Sequence, residues 1–222
     1  MRHLIFNKKH QASVLKKRNL VTFSNPYSII SDQFRTIRTN IQFLSEERKK
    51  RTFLITSTGK SEGKSTIIAN LAVSMSQQKE KVLLIDANLR EPIIHKIFKI
   101  PNEVGLTNVL TNRIIFEDAI QRPGIGKMKI LSSGSITANP AELLGYEQMT
   151  DLLRMASNSY DIVLIDSPSV LEFTETRVLA NQCDGVVLVL NRGKTELEKA
   201  AEARRVLELA HAKLIGAIIN EK

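Results

Sequence analysis

"TFLITSTGKSEGKSTIIANLAV" (52–73) runs from an apolar segment through a glycine-containing turn into a helical stretch. A buried strand, a loop and a helix in that order build a phosphate cradle. The helix N-terminus carries N–H donors without intrahelical partners, and the loop aims further backbone N–H groups at an anion. Gly63 permits close backbone approach, Lys64 offers a compact positive charge to the β- and γ-phosphates of a nucleotide, and the Ser65 hydroxyl can hold Mg²⁺. The usual pattern, G-x-x-x-x-G-K-[ST], has glycine where this chain has Thr58. If that position needs a positive φ, Thr58 is costly there and Gly59 is placed to absorb the turn. The loop then reads as altered and not broken.

Working outward, 222 residues with 42% hydrophobic and 25% charged side chains suffice for one sizeable core, and a single α/β domain is the economical reading. No stretch approaches the roughly 20 uninterrupted apolar residues of a membrane span. The N-terminus lacks the order of a secretory signal, so the chain is expected in the cytosol. Cys183 is the lone cysteine and reads as a packing residue. The net charge of +9 is concentrated in "MRHLIFNKKHQASVLKKRN" (1–19), where Arg2, Lys8, Lys9, Lys16, Lys17 and Arg18 occur without an acid or a sustained hydrophobic period. Residues 1–25 are therefore expected to form a flexible basic arm. It is either a solvated tail or a contact with the anionic inner face of the plasma membrane. Nucleic acid is not expected as a partner, since no interleaved aromatics and no binding module are present.

After the arm, residues 26–222 read as the single domain. "NPYSIISDQFRTIRTNIQFLSEE" (25–47) spaces Ile30, Phe34, Ile37, Ile41 and Leu44 by four and three, the period of an amphipathic helix that Asn25 or Ser28 could cap. "RTFLITS", "KVLLIDA", "YDIVLIDS", "DGVVLVLN" and "KLIGAIIN" are short apolar runs suited to strands buried on both faces, and "KMKILSSG" adds another strand. Helical stretches lie between them, so the fold class is α/β with a doubly wound, mainly parallel sheet. Pro92, Pro101, Gly105 and Pro123 predict small helices and loops over residues 91–127.

Two strand ends carry carboxylates, Asp86 in "VLLIDANLR" and Asp166 in "VLIDSPS". In open α/β sheets the ligand lies beyond the carboxyl ends of the strands, so both acids should converge on the phosphates. Asp166 suits a role beside Mg²⁺, and Asp86 is placed to orient or deprotonate an attacking hydroxyl. Dinucleotide binding is disfavoured by the lack of a G-x-G-x-x-G loop.

"EGKSTIIANLAV", "KVLLIDANLREP", "NPAELL", "YDIVLIDSP", "DGVVLVL" and "LIGAIIN", in this order, closely resemble the cytoplasmic domain of bacterial tyrosine kinases that control capsule and exopolysaccharide synthesis. The resemblance runs from about Pro26 onward and implies a P-loop NTPase-type fold that transfers the γ-phosphate of ATP to tyrosine with Mg²⁺. It also implies activation by the cytoplasmic tail of a membrane chain-length regulator, tyrosine-containing protein substrates, and a homo-oligomeric ring recruited to the membrane. Carried onto this chain, the phosphate loop falls on Gly59, Lys60, Ser61, Glu62, Gly63, Lys64, Ser65 and Thr66. The carboxylate motif falls on Asp86 and Arg90, and the metal set on Ser65, Asp86 and Asp166. Asn220 resembles a position that contacts adenine in related ATPases, with a strand-end cap as the plainer alternative. Asp32, Arg35 and Arg38 match the spacing of residues used at subunit contacts. They are expected on one helix flank away from the apolar stripe, where an intrahelical ion pair is the plainer alternative.

The chain departs from the family in specific ways. Asn88 stands where a second aspartate is usual, and an amide cannot take the proton of a tyrosine hydroxyl. Asp86 must then act as base alone, or transfer slows. Pro168 and Ser169 replace a frequent pair of prolines, and Asp32 replaces a glutamate. The only tyrosines are Tyr27, Tyr146 and Tyr160, with no terminal cluster after "IINEK". A nucleotide-dependent assembly module that no longer transfers phosphate is one alternative. A spatial-positioning ATPase is another, disfavoured because Lys60 stands one position late for that group's extra lysine.

Overall fold

Each apolar run becomes a strand of one sheet. In the computed structural model, which describes residues 20–48, 52–78 and 80–221, β1 (Thr52–Ser57), β2 (Val82–Asp86), β3 (Met128–Leu131), β4 (Ile162–Asp166), β5 (Gly185–Asn191) and β6 (Leu214–Asn220) lie in the order β3-β2-β4-β1-β5-β6. Every pairing is parallel. The crossovers are helices, as parallel pairing requires. They include α3 (Lys64–Ser76), α8 (Glu147–Ser159), α9 (Thr174–Gln182) and α10 (Leu197–Leu209), with α7 (Pro140–Gly145) leading into α8. Residues 91–127 hold the small helices expected there: α4 (Ile94–Phe98), α5 (Leu106–Leu110) and α6 (Phe116–Ala119).

Successive strand residues feed opposite faces. Phe53 and Ile55 pack with α3 on one side, while Leu54 packs with α8 on the other; Leu84 and Leu83 of β2 divide in the same way. The exception is β6 at the sheet edge. Its apolar sequence suggests burial on both faces, yet only part of it is covered and Ile219 is 64% exposed.

The helix α3 is buried almost all round, because α1 (Val21–Ser24) and α2 (Ile29–Arg48) cover the side away from the sheet. This moves the start of the packed domain to Leu20, earlier than the boundary at residue 26 read from the charge run. Leu20 is buried, and the Thr22 amide donates to Asn70 Oδ1 of α3 at 3.1 Å. The Thr22 hydroxyl lies 3.0 Å from the same oxygen. The buried Asn70 requires such a partner, a need the arm's composition does not reveal. The remainder of the expected arm, residues 1–19, lies outside the described residues.

Helix α2 starts as expected, with the Ser31 amide donating to Ser28 Oγ at 3.2 Å. Its buried stripe is Ser31, Phe34, Arg38 and Ile41, so Ile30 faces solvent and Arg38 takes a core position. The expectation that Arg38 shares an exposed flank with Asp32 and Arg35 is thus corrected. Its Nη1 donates to the Ser74 carbonyl at 2.8 Å, one of the last-turn carbonyls of α3 that has no intrahelical donor. Arg35 remains outside, paired with Asp32 and donating to the Pro26 carbonyl.

The two arginines should therefore behave differently. Arg38→Met, which keeps the stem and removes the guanidinium, is expected to lower the unfolding free energy by about 1.5–3 kcal/mol. Arg35→Ala should change it by less than about 1 kcal/mol. Urea denaturation of both variants checks this, and equal small losses would contradict the buried position of Arg38.

Candidate active site

The phosphate loop connects β1 to α3, with Gly63 at φ +92° as the helix N-cap. The other left-handed position in the loop is Ser61, at φ +60°. Neither Thr58 nor Gly59 takes a positive φ, so the expected cost at Thr58 and its relief by Gly59 do not arise. The strain of about 1 kcal/mol or more sits on Ser61 instead.

Thr58 has a use that glycine could not supply. Its hydroxyl donates to Glu62 Oε1 at 2.7 Å, and the Gly59 amide donates to Oε2 at 3.1 Å. The Thr195 hydroxyl, from the loop after β5, donates to the same carboxylate. Glu62 is only 2% exposed, so its side chain holds the loop from inside and leaves only its backbone for a phosphate. The Asn220 side-chain amide donates to the Glu62 carbonyl at 3.0 Å, which makes this residue a brace of the loop. A Cβ placed on Gly63 would lie 2.3 Å from Asn220 Nδ2, which explains the glycine there sterically as well as through φ. Lys194 Nζ donates to the Lys60 carbonyl at 2.5 Å. Thr195 and Lys194 carry no motif, and nothing in the sequence pointed to them.

Beside the loop, the register of β2 and β4 sets Asp86 directly opposite Asp166. Both are fully buried. Asp86 Oδ1 accepts the Asn88 amide at 3.2 Å, and Oδ2 accepts those of Ile93 and Ile94 at 3.2 and 3.0 Å. Burial, then the neighbouring Asp166 charge, pushes the Asp86 carboxyl well above the ordinary range, partly offset by these three amides. Burial likewise raises Asp166 to about 6, against the pull of the Lys64 charge and the Ser65 hydroxyl. Lys64 and Ser65 are close enough to act on Asp166, yet neither carboxylate oxygen accepts a formed hydrogen bond. Unpartnered buried oxygens next to a serine hydroxyl are a fitting donor set for Mg²⁺, which takes one or two carboxylates and completes its shell with phosphate oxygens and water. Among the described residues no group of three or more acids, histidines or cysteines would hold a metal without such a ligand.

The cleft in front of these groups is lined by Lys60, Lys64, Asn88, Arg90, Glu91 and Phe173, among others. Arg90 Nε pairs with the buried Glu175 at 2.5 Å and lies 5.1 Å from the centre of the Phe173 ring. Lys60 lies 5.4 Å from the same ring and pairs with Glu91 at 2.7 Å. Asn88 donates its Nδ2 to the Glu91 carbonyl at 3.0 Å and accepts the Glu91 amide at 3.3 Å. Here it shapes the loop. The structure thus gathers Lys64, Ser65, Asp86, Asp166 and Arg90 at one end of the sheet. Asp32 and Arg35 do not line the cleft.

Two outcomes follow from this geometry. Thr58→Val removes the hydroxyl that reaches Glu62 and should cost about 1–3 kcal/mol in unfolding free energy and weaken nucleotide binding. Thr58→Ser should retain both, which denaturation and nucleotide titration would show. Asp166 is the second case. Because folding raises its proton affinity, its protonated form stabilises the folded chain fully below about pH 3.8, and that contribution is lost as pH rises through about 6. Asp166→Asn should therefore stabilise the metal-free protein near pH 8, by something on the order of 3 kcal/mol, and confer little near pH 4. Thermal melts across that range decide it, and a gain independent of pH would contradict the buried pair.

Known proteins resemble this chain over most of its length. Residues 58–213 match the AAA domain family. The chain is 46% identical over 206 residues to the tyrosine-protein kinase YwqD of Bacillus subtilis, covering 93% of this chain and 87% of that one. The solved chimerical protein CapA2B2 superposes with a TM-score of 0.87 at 34% identity, over 92% of this chain and 90% of that one. The kinase domain of the Escherichia coli tyrosine kinase ETK gives 0.88 at 30%, over 90% and 79%. Sequence identity of this extent over nearly the whole length, on the same fold, means that the chain belongs to the bacterial tyrosine-protein kinase family.

Proposed function

We propose that this protein is a Mg-ATP-dependent protein-tyrosine kinase that regulates bacterial capsule or exopolysaccharide synthesis and export. The observation that carries the reading is the buried Asp86–Asp166 pair beside Lys64 and Ser65, in a chain so similar to a tyrosine-protein kinase. ATP supplies the phosphoryl group, and Mg²⁺ supplies charge neutralisation at its oxygens. Backbone amides of residues 59–66 cradle the phosphates, Lys64 neutralises the β- and γ-oxygens, and Ser65 and Asp166 hold the ion with Asp86 close by. The substrate tyrosine oxygen bonds to the γ-phosphorus as the bond from that phosphorus to ADP breaks, and Asp86 takes the phenolic proton. Its raised proton affinity suits it to that task. Arg90, held by Glu175 at the cleft mouth, is positioned to meet charge developing on the transferred group.

The partners in this reading are a membrane chain-length regulator whose cytoplasmic tail activates the kinase, tyrosine-containing protein substrates, and further copies of the chain in a ring. Asp32 and Arg35 remain on the surface for ring contacts, and Arg38 does not. Recruitment to the inner face of the plasma membrane would come through the regulator. None of the described helices is long and apolar enough to cross a membrane.

One observation favours the assembly module as a second reading: Asn88 is committed to its own loop and offers no second base. Phosphotyrosine formation from Mg-ATP on a tyrosine-rich peptide, with and without the regulator's tail, separates the two. Lys64→Ala should lower transfer by about two or more orders of magnitude. Asn88→Asp keeps an acceptor for the Glu91 amide and adds a proton acceptor, so it should raise transfer about tenfold or more. Bound ATP with no phosphotyrosine from the intact chain and its activator would leave the assembly module.

A further inference from the structure

At the end of the sheet opposite the phosphate loop, where β2, β3 and β4 begin, lies a cavity of about 460 Å³. Its walls carry Lys81, Arg122, Lys127 and Lys129, and no acidic side chain lines it. The buried Met128 and Tyr160 contribute apolar surface beneath these cations. The size falls within the range of small-molecule sites, about 300–1,000 Å³.

The backbone that presents the cations is braced on both sides. Gln121 and Ile130 exchange amide-to-carbonyl bonds of 2.8 and 2.9 Å, which ties the loop carrying Arg122 and Lys127 to β3. Gly126, at φ +49°, sits so close to the end of α3 that a Cβ there would lie 2.6 Å from the Ser76 carbonyl. Across the cavity, Asp161 Oδ2 accepts the Lys81 amide at 2.7 Å, and the Asp161 amide donates to the Lys81 carbonyl at 2.9 Å.

The simplest account of such cations is that they balance the negative C-terminal ends of α3 and α8, which point to this side. Two helix ends amount to about one negative charge at most, and the Asp161 carboxylate that accepts the Lys81 amide adds one more, against four positive side chains. None of the four forms an ion pair among the described residues. Glu117, which acts on Tyr160, lies outside the lining. A concave wall of one sign of charge concentrates the field and draws anions in. Arginine and lysine together on a fixed backbone suit phosphate oxygens.

We propose that this cavity is a second ligand site, for a molecule bearing two or more phosphate groups, either free in solution or as the headgroup of a diphosphate lipid. The 13 residues of α3 separate it from the nucleotide by about 20 Å, so it is a distinct site. The inference does not depend on phosphoryl transfer by the chain.

The test uses the full chain saturated with Mg-ADP, so that the phosphate loop is occupied. Sodium tripolyphosphate is titrated at physiological salt while the amide resonances of Gly124, Gly126 and Lys127 are followed. Sedimentation with phosphatidylcholine vesicles, with and without cardiolipin, forms the second arm. Tripolyphosphate should shift those amides, and the double variant Lys127→Glu/Lys129→Glu should weaken it about tenfold or more, while Lys127→Arg/Lys129→Arg stays within about threefold. Shifts without cardiolipin-dependent sedimentation identify a soluble ligand. Cardiolipin-dependent sedimentation that the double variant loses and tripolyphosphate competes away identifies a headgroup. Absence of both effects, or binding unchanged in the folded double-glutamate variant, overturns the proposal.

Discussion

Parallel register forces Asp86 and Asp166 side by side at the ends of β2 and β4, out of contact with water. Parallel strands lie about 4.8 Å apart, and two ionised carboxylates at that spacing repel by roughly 3.5 kcal/mol at an effective dielectric of about 20. A fold maintains such a pair only where positive charge is to be brought to it. Lys64 supplies part, and the unpartnered oxygens of Asp166 mark where more belongs. The positions of the other groups follow from this demand. The loop after β1 must pass close enough to set Ser65 beside Asp166, and the loop after β2 must curl back so that its amides reach Asp86.

The loop after β1 is held chiefly through one buried carboxylate. Glu62 draws Thr58, Gly59 and Thr195 to itself, and Asn220 fastens its carbonyl. The ends of β5 and β6 are thereby joined to the phosphate cradle. A change in the path of residues 191–195 reaches the cradle through Thr195 without crossing the core.

Much of this was legible in the sequence, where the chemistry is local. Apolar runs of strand length, each followed by a loop and a helix, define the sheet, and acids at two strand ends after such runs mark the site. Positions decided by a distant partner were not legible. Arg38 looks like a surface residue until the Ser74 carbonyl is found beneath it, 36 residues away. Leu20 and Thr22 belong to the domain because α3 presents Asn70 to them. Thr58 looks like a defect when only the glycine pattern is considered, because Glu62 and Thr195 are needed to see its use. The strand β6 looks central because its composition is apolar, while its place at the edge is a matter of topology.

The sheet order also governs when this protein can acquire its activity during synthesis. The central strand β1 is flanked by β4 and β5; Phe53 pairs with Leu164 on one side and Gly185 on the other. Both partners leave the ribosome more than one hundred residues after β1 itself. Such distant pairings form late and slowly. The cradle that follows β1 therefore cannot be organised around nucleotide until β4 and β5 have emerged, and a nascent chain arrested before them would be inert toward ATP. A regulator that meets the newly made protein meets it with the site either absent or complete.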